Sequence, residues 1–285
     1  MKIPKRIQPL LEDGLVDEVL RQLMSGKEAT VYVVRCGSDI RCAKVYKEAS
    51  KRSFKQAVQY REGRKVKNSR RARAMEKGSK FGREEQENLW HNAEVDALYK
   101  LANAGVRVPK PYGCFDGVLL MELITDDDGD VAPRLNDVTM SAEQAREDFD
   151  VIIHDIVRML CAGLVHGDLS EFNVLVDSNG PVIIDLPQAV DAVANNHAEW
   201  MLERDVNNMR DYYGMFAPEI LETQYAKEIW SIYEAGKLTP DTELTGLFEE
   251  PTEEADVDAV LLEIQEAQAE EEARLARMNA DDEES

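Results

Sequence analysis

Residues 164–176 read Leu-Val-His-Gly-Asp-Leu-Ser-Glu-Phe-Asn-Val-Leu-Val, an apolar stretch broken by Asp168 and, five positions later, Asn173. Residues 181–188 follow as Pro-Val-Ile-Ile-Asp-Leu-Pro-Gln, so a second carboxylate, Asp185, closes the next apolar run twelve positions after Asn173. The Asp-Ser-Asn-Gly at 177–180 is a turn signal, and a hairpin of this length returns Asp185 beside Asn173. Phosphoryl transfer needs a carboxylate to orient and deprotonate a hydroxyl, plus a carboxylate and an amide oxygen to hold Mg²⁺ against phosphates. Asp168, Asn173 and Asp185 supply that set. Each alone would be an ordinary turn or strand-end residue; their joint spacing between hydrophobic strands is what carries the reading. His166 reads as a buried hydrogen-bonding brace of the loop rather than a proton carrier.

The amino-terminal half offers a matching nucleotide grip. Lys44, in Cys-Ala-Lys-Val, stands on a β-rich run from which a lysine reaches nucleotide phosphates and pairs with a helix glutamate. Glu94 is the expected partner, with Glu84 and Glu87 as alternatives on the same helix. Ser25, Gly26 and Lys27 precede a strand, where small residues let backbone N–H groups approach phosphate oxygens. The run Val-Leu-Leu-Met-Glu-Leu-Ile at 118–124 leads into a loop between the halves. The main chain of Glu122 and Ile124 is expected to meet an adenine ring there, with Met121 behind it.

The elements that must position these residues follow from periodicity. Leu15, Val16, Val19, Leu20 and Leu23 at helical spacing predict a short leading helix over 14–24, ended by Ser25-Gly26. Runs at 30–35 and 41–46, separated by Gly37-Ser38-Asp39, predict an antiparallel hairpin. A helix is expected over 84–101, then short strands at 112–115 and 118–123 around Asp116-Gly117. Ser141-Ala-Glu-Gln144 is a capping box opening a long helix whose buried stripe is Phe149, Ile152, Ile153, Ile156, Met159 and Leu160. Hairpin strands at 174–176 and 182–184 and helices over 199–216 and 224–234 complete the second half.

With 285 residues, 44% of them apolar, the chain has material for a large core. No stretch approaches the roughly 18 apolar residues of a membrane helix, so no membrane partner is expected. Cys36, Cys42, Cys114 and Cys161 lack CxxC spacing, which fits a reducing, cytoplasmic setting. The net charge of −22 is segregated. Residues 47–83 hold 14 Lys/Arg against three acids, and residues 249–285 hold 15 Asp/Glu against two Arg. The first reads as a mobile basic insertion and the second as an acidic tail, helical or disordered.

The phosphate-loop run 25–29, Lys44, the 121–124 hinge, His-Gly-Asp-Leu-Ser-Glu-Phe-Asn at 166–173 and Ile-Asp-Leu-Pro-Gln at 184–188 together resemble the RIO family of atypical serine/threonine protein kinases. The resemblance covers residues 15–246. It implies an α+β, bilobal, protein-kinase-like fold: an N-lobe over 1–124 with a small antiparallel sheet and a helix, a mainly helical C-lobe over 125–248, and no activation loop. It further implies ATP and Mg²⁺, with Mn²⁺ an acceptable substitute, between the lobes. By it Asp168 is the catalytic base, Asn173 and Asp185 bind metal, Lys44 binds ATP, and Asp185 can accept phosphate transiently as part of an ATPase switch. The implied acceptors are serine hydroxyls of a protein substrate or of the chain itself, with Ser50, Ser53, Ser69 and Ser79 as candidates. A place in ribosome maturation is implied too, the 47–83 loop being the segment that would meet RNA or a ribosomal particle. The motif differs from ordinary protein kinases: G-x-G-x-x-G is missing, Asp185-Leu-Pro replaces Asp-Phe-Gly, Ser170 stands where a lysine is common, and Ala217-Pro-Glu is read as coincidental. Two other readings compete: a small-molecule phosphotransferase of the aminoglycoside or choline kinase type, and a catalytically silent nucleotide-binding scaffold.

Overall fold

The computed structural model describes residues 3–26, 29–47 and 93–249. Lys27, the basic insertion beyond Lys47, the expected helix before residue 93 with Glu84 and Glu87, and the acidic tail beyond Glu249 lie outside the described residues. Contacts divide the chain into units spanning Met1–Leu247 and Phe248–Ser285, and the fold of the first follows.

The leading helix expected over 14–24 is not formed. A five-residue helix, α1 (Gln8–Glu12), comes earlier, and the segment itself is strand β1 (Glu18–Ser25). It lies antiparallel on β2 (Ala29–Cys36), from Glu18↔Arg35 to Ser25↔Thr30. Helical spacing predicts a helix only if it buries one face, and here Leu15, Leu20 and Met24 stay 40%, 37% and 43% exposed. Pairing the backbone along the free edge of β2 wins instead. Register shifts between Val19 and Arg21 and between Gln22 and Met24 break the strict alternation that would have announced a strand.

The remaining sheet follows the sequence. β3 (Asp39–Tyr46) pairs with β2 in continuous register, Ala29↔Tyr46 to Cys36↔Asp39, with Gly37 at φ 64° in the tip. β4 (Pro111–Phe115) and β5 (Val118–Glu122) meet through Asp116 and Gly117, whose φ of 47° and 77° gives the hairpin turn that matches strand twist. β5 also pairs with β3, so the antiparallel order is β1-β2-β3-β5-β4. Alternation gives the sheet two faces. Ala43, Val45, Val118 and Leu120 pack with Ile7, Leu10 and Val16. Tyr46 and Leu119 turn the other way, against Ala97, Leu98 and Leu101 of helix α2 (93–103).

The second half is mainly helical. α3 (Ala142–Cys161) starts where the capping box predicts, Ser141 Oγ accepting the Gln144 N–H at 3.1 Å, and all six residues of the expected stripe are buried. Beyond it, β6 (Leu164–Val165) pairs with β9 (Val190–Asp191) around the hairpin of β7 (Val174–Asp177) and β8 (Gly180–Ile183). α4 (Ala198–Tyr213) and α5 (Tyr225–Glu234) close the core. Fully buried residues such as Ile152, Ile153 and Leu169 each contribute about 1.5–3 kcal/mol. Together they make a rigid base for the loop between β6 and β7.

Candidate active site

β3 delivers Lys44 into the space between sheet, α2 and the end of the β7–β8 hairpin. Its ammonium lies 2.5 Å from Glu94 Oε1 and 2.8 Å from Asp185 Oδ1. Burial by itself would depress this lysine, but the two carboxylates outweigh it and its pKa is raised. Glu94, on α2, is the partner the sequence singled out, and its other oxygen accepts from the Tyr46 hydroxyl at 2.6 Å. Lys44, Glu94 and Asp185 line one cavity with Leu98, Pro109, Met121, Ile184 and Leu186.

Asp185 follows β8, where the Ile184 N–H binds the Asn173 carbonyl at 2.9 Å and so brings the two chain segments together. Its φ of 67° is in the left-handed region, a conformation that costs a non-glycine residue about 1–3 kcal/mol. The turn directs the carboxylate at Lys44. Burial would raise its pKa, but the Lys44 charge and hydrogen bond pull it below the usual carboxylate value, with further lowering from Arg134.

The loop bearing Asp168 is built around two buried side chains. His166 Nδ1 accepts the Asp168 N–H at 3.2 Å, which leaves the proton on Nε2, 3.1 Å from the Ile184 carbonyl it donates to. Burial lowers its pKa, so it is a neutral brace, as the sequence suggests. Beneath it, Asp205 of α4 accepts the N–H groups of Gly167 at 2.7 Å and Leu169 at 3.0 Å. Asn208 donates to the Leu169 carbonyl at 2.8 Å, and Arg204 to the Gly167 carbonyl. The Asp168 side chain is thereby presented outward. Its Oδ2 accepts from Gln188 Nε2 at 3.1 Å, and its pKa is raised by burial and by Asp185 against the lowering effect of Arg204. Asn173 donates Nδ2 to the Asp168 carbonyl at 2.9 Å, so its amide oxygen is the atom left for a ligand.

The loop expected to hold phosphate is the β1–β2 turn. Gly26 N–H closes it on the Ala29 carbonyl at 2.9 Å, so this amide is already engaged. Lys47 Nζ reaches Ser25 Oγ at 3.0 Å and the Gly26 carbonyl at 2.6 Å. At the hinge, the Glu122 N–H is taken by the Lys110 carbonyl and the Ile124 carbonyl accepts the Ala132 N–H. Two of the four main-chain groups of Glu122 and Ile124 are thus already engaged within the protein.

Tyr46, Asp205, Asn208 and Arg134 were not singled out by sequence. Asp205 had a readable signal, being the one acid on the apolar face of α4 with Met201, Leu202, Val206 and Met209. The other three act through contacts far apart in the chain, which no local pattern records.

With this geometry in view, three comparisons agree. The RIO domain model matches residues 30–226. The RIO-type serine/threonine-protein kinase Rio1 of Haloferax volcanii is 33% identical over 210 residues, covering 73% of this chain and 67% of that protein. The human serine/threonine-protein kinase RIO1 is 32% identical over 206 residues, 72% of this chain but 34% of that protein, so the chain spans about a third of the longer human relative. Among solved structures, the Rio2 kinase–ADP/Mg²⁺–phosphoaspartate complex from Chaetomium thermophilum superposes with a TM-score of 0.52 at 20% identity, covering 75% of this chain and 65% of that one. The sheet-and-helix N-lobe over a helical C-lobe is therefore the kinase-like α+β architecture, and the chain belongs to the RIO family of atypical protein kinases.

Proposed function

We propose that the chain is an ATP-dependent serine/threonine protein kinase of the RIO type, acting on serine hydroxyls of a protein substrate or of itself. The observation that carries this is the Lys44 ammonium held between Glu94 and Asp185, across the cleft from a loop that fixes Asp168 and Asn173 by backbone hydrogen bonds. Those are the parts that phosphoryl transfer needs, in mutual reach.

Asp168 takes the role of base. It points outward from a braced loop, and its carboxylate orients an incoming hydroxyl and receives its proton. Lys44 grips the nucleotide phosphates, and Glu94 keeps the lysine extended. The hinge presents the Glu122 carbonyl and Ile124 N–H to the adenine, above Met121. The donor set of Asp185 carboxylate and Asn173 amide oxygen fits a hard divalent ion, Mg²⁺ with Mn²⁺ as a substitute. Among the described residues no three His, Cys, Asp or Glu converge on one point, so such an ion would share its shell with phosphate and water. Its contribution when bound is to neutralise charge developing on the transferred phosphoryl group. Asp185 Oδ2, on a side chain 48% exposed, is free of Lys44 and is the atom a transient aspartyl phosphate would form on.

No helix among the described residues is long and apolar enough to cross a membrane. The basic 47–83 segment keeps its place as the proposed contact for RNA or a ribosomal particle, on charge alone.

Incubating the chain with Mg²⁺ and γ-labelled ATP tests the reading. Acid-stable label on serine is expected, with Asp168→Asn slower by about 10²–10⁴-fold, the usual worth of a general base. Acid-labile label lost in Asp185→Asn would locate the aspartyl phosphate. A wild-type chain that neither labels itself nor a protein acceptor, or an Asp168→Asn chain as fast as wild type, overturns the proposal.

A further inference from the structure

Arg134 lies beyond β5, and its guanidinium reaches both lobes. Nη1 donates to the Phe172 carbonyl at 2.7 Å, and Nη2 to the Met24 thioether sulfur at 3.0 Å. Phe172 immediately precedes Asn173, and Met24 immediately precedes Ser25. One cation thus spans from the catalytic loop to the β1–β2 turn, across the mouth of the cleft. The backbone fixes its origin, since Arg134 bridges Leu175 and the Pro133 carbonyl accepts the Val176 N–H at 2.9 Å. Its charge is close enough to Asp185 to be one of the groups that depress that carboxyl.

The partners are a poor match for the group. A guanidinium carries five donors suited to anionic oxygens, yet here it meets a neutral carbonyl and a thioether, a weak acceptor. Among the described residues no carboxylate pairs with Arg134. On the other side of the turn, the Lys47 ammonium meets the Ser25 hydroxyl and the Gly26 carbonyl among the described residues. Two cations thus flank the turn, each on neutral acceptors among the described residues.

We propose that Arg134 is a polyphosphate-binding residue of the cleft: Nη1 stays on the Phe172 carbonyl while Nη2 leaves the Met24 sulfur for a phosphate oxygen of the bound nucleotide. This rests on the nucleotide-binding reading above and adds a residue to it. Leaving the thioether costs little, a charge-assisted bond to phosphate is among the strong ones, and the anchor at Phe172 holds the guanidinium in place before the ligand arrives.

Calorimetric titration of the full chain with Mg-ADP and, separately, adenosine tests this. Arg134→Leu should bind Mg-ADP about tenfold or more weakly, from the loss of one charge-assisted hydrogen bond, while adenosine affinity is unchanged. Unchanged adenosine binding also certifies an intact cleft. Should Arg134→Leu not fold, Arg134→Lys, which keeps a charge but not the fork, is titrated in the same way and should lose affinity for Mg-ADP alone. Equal losses for both ligands, or no loss for Mg-ADP, overturn the inference. A wild-type chain that binds neither ligand is a different result, and sinks the nucleotide-binding reading itself.

Discussion

The Tyr46 hydroxyl donates to Glu94 Oε2 at 2.6 Å, on the opposite oxygen from the one that Lys44 holds. Both donors stand on one face of β3, two residues apart, so a single strand grips both oxygens of a carboxylate on α2. The lysine–glutamate pair is then fixed by the sheet itself and does not depend on closure of the lobes. Tyr46→Phe removes one donor and leaves an oxygen unpaired on a residue only 4% exposed. Urea unfolding should show a loss of about 1–3 kcal/mol, the cost of a buried unsatisfied group. A variant as stable as wild type would mean that Glu94 is solvated from elsewhere.

Lys44→Met leaves two carboxylates without their cation. Glu94 is buried, and breaking a buried pair from one side typically costs about 3–5 kcal/mol. Asp185 is partly exposed and loses the main group that lowers its pKa, so that value should rise. The sign follows. A carboxyl depressed in the folded state gives stability above its unfolded pKa and loses it as pH falls through the folded one. The variant should therefore have a shallower acid limb than wild type in stability measured from pH 6 down to 2. An unchanged limb would show that Lys44 does not control Asp185.

Asp205 carries the opposite sign. Burial raises its pKa to about 7, against the lowering effect of the Gly167 and Leu169 N–H groups and Arg204. A carboxyl raised in the folded state contributes fully below its unfolded pKa, about 4, and that contribution is lost as pH rises through 7. Asp205→Asn is neutral throughout, and its amide can accept only one of the two N–H groups well. Wild type should be the more stable of the two at pH 4, and its advantage should shrink by about a few kcal/mol by pH 8. An advantage that grows with pH would show that the loop N–H groups hold Asp205 ionised.

Much of this was legible in the sequence because the governing signals are local. Glycine-bearing turns set the β2–β3 and β4–β5 hairpins, the Ser141 cap sets the start of α3, and the spacing from Asp168 through Asn173 to Asp185 spans one loop and one hairpin. Glu94 could be chosen because a helix glutamate must face Lys44. β1 failed for a physical reason: its bulges displace alternation by one residue, and what remained imitated a helix. The residues that hold the site, Tyr46, Asp205 and Arg134, find their partners 36 to 110 positions away. Those distances are set by the completed fold and leave no mark on neighbouring residues.

Gln188 was visible as part of a motif but without a task, and the structure supplies one. Its Nε2 donates to Asp168 Oδ2 at 3.1 Å, so the chain leaving Asp185 returns within three residues to hold the proposed base. A donor aimed at a carboxylate favours the ionised form, the one able to take a proton. Without it, Asp168 keeps its burial and the nearby Asp185 charge, both of which already raise its pKa. Gln188→Leu should move the acid limb of the pH–rate profile to higher pH and lower kcat about tenfold at neutral pH, the worth of one hydrogen bond to a charged group. KM for ATP should stay the same, since the hydrogen bond that Gln188 makes is to Asp168 and not to a residue assigned to the nucleotide. A variant whose KM rises while its acid limb stays put would place Gln188 in nucleotide binding instead of in orienting the base.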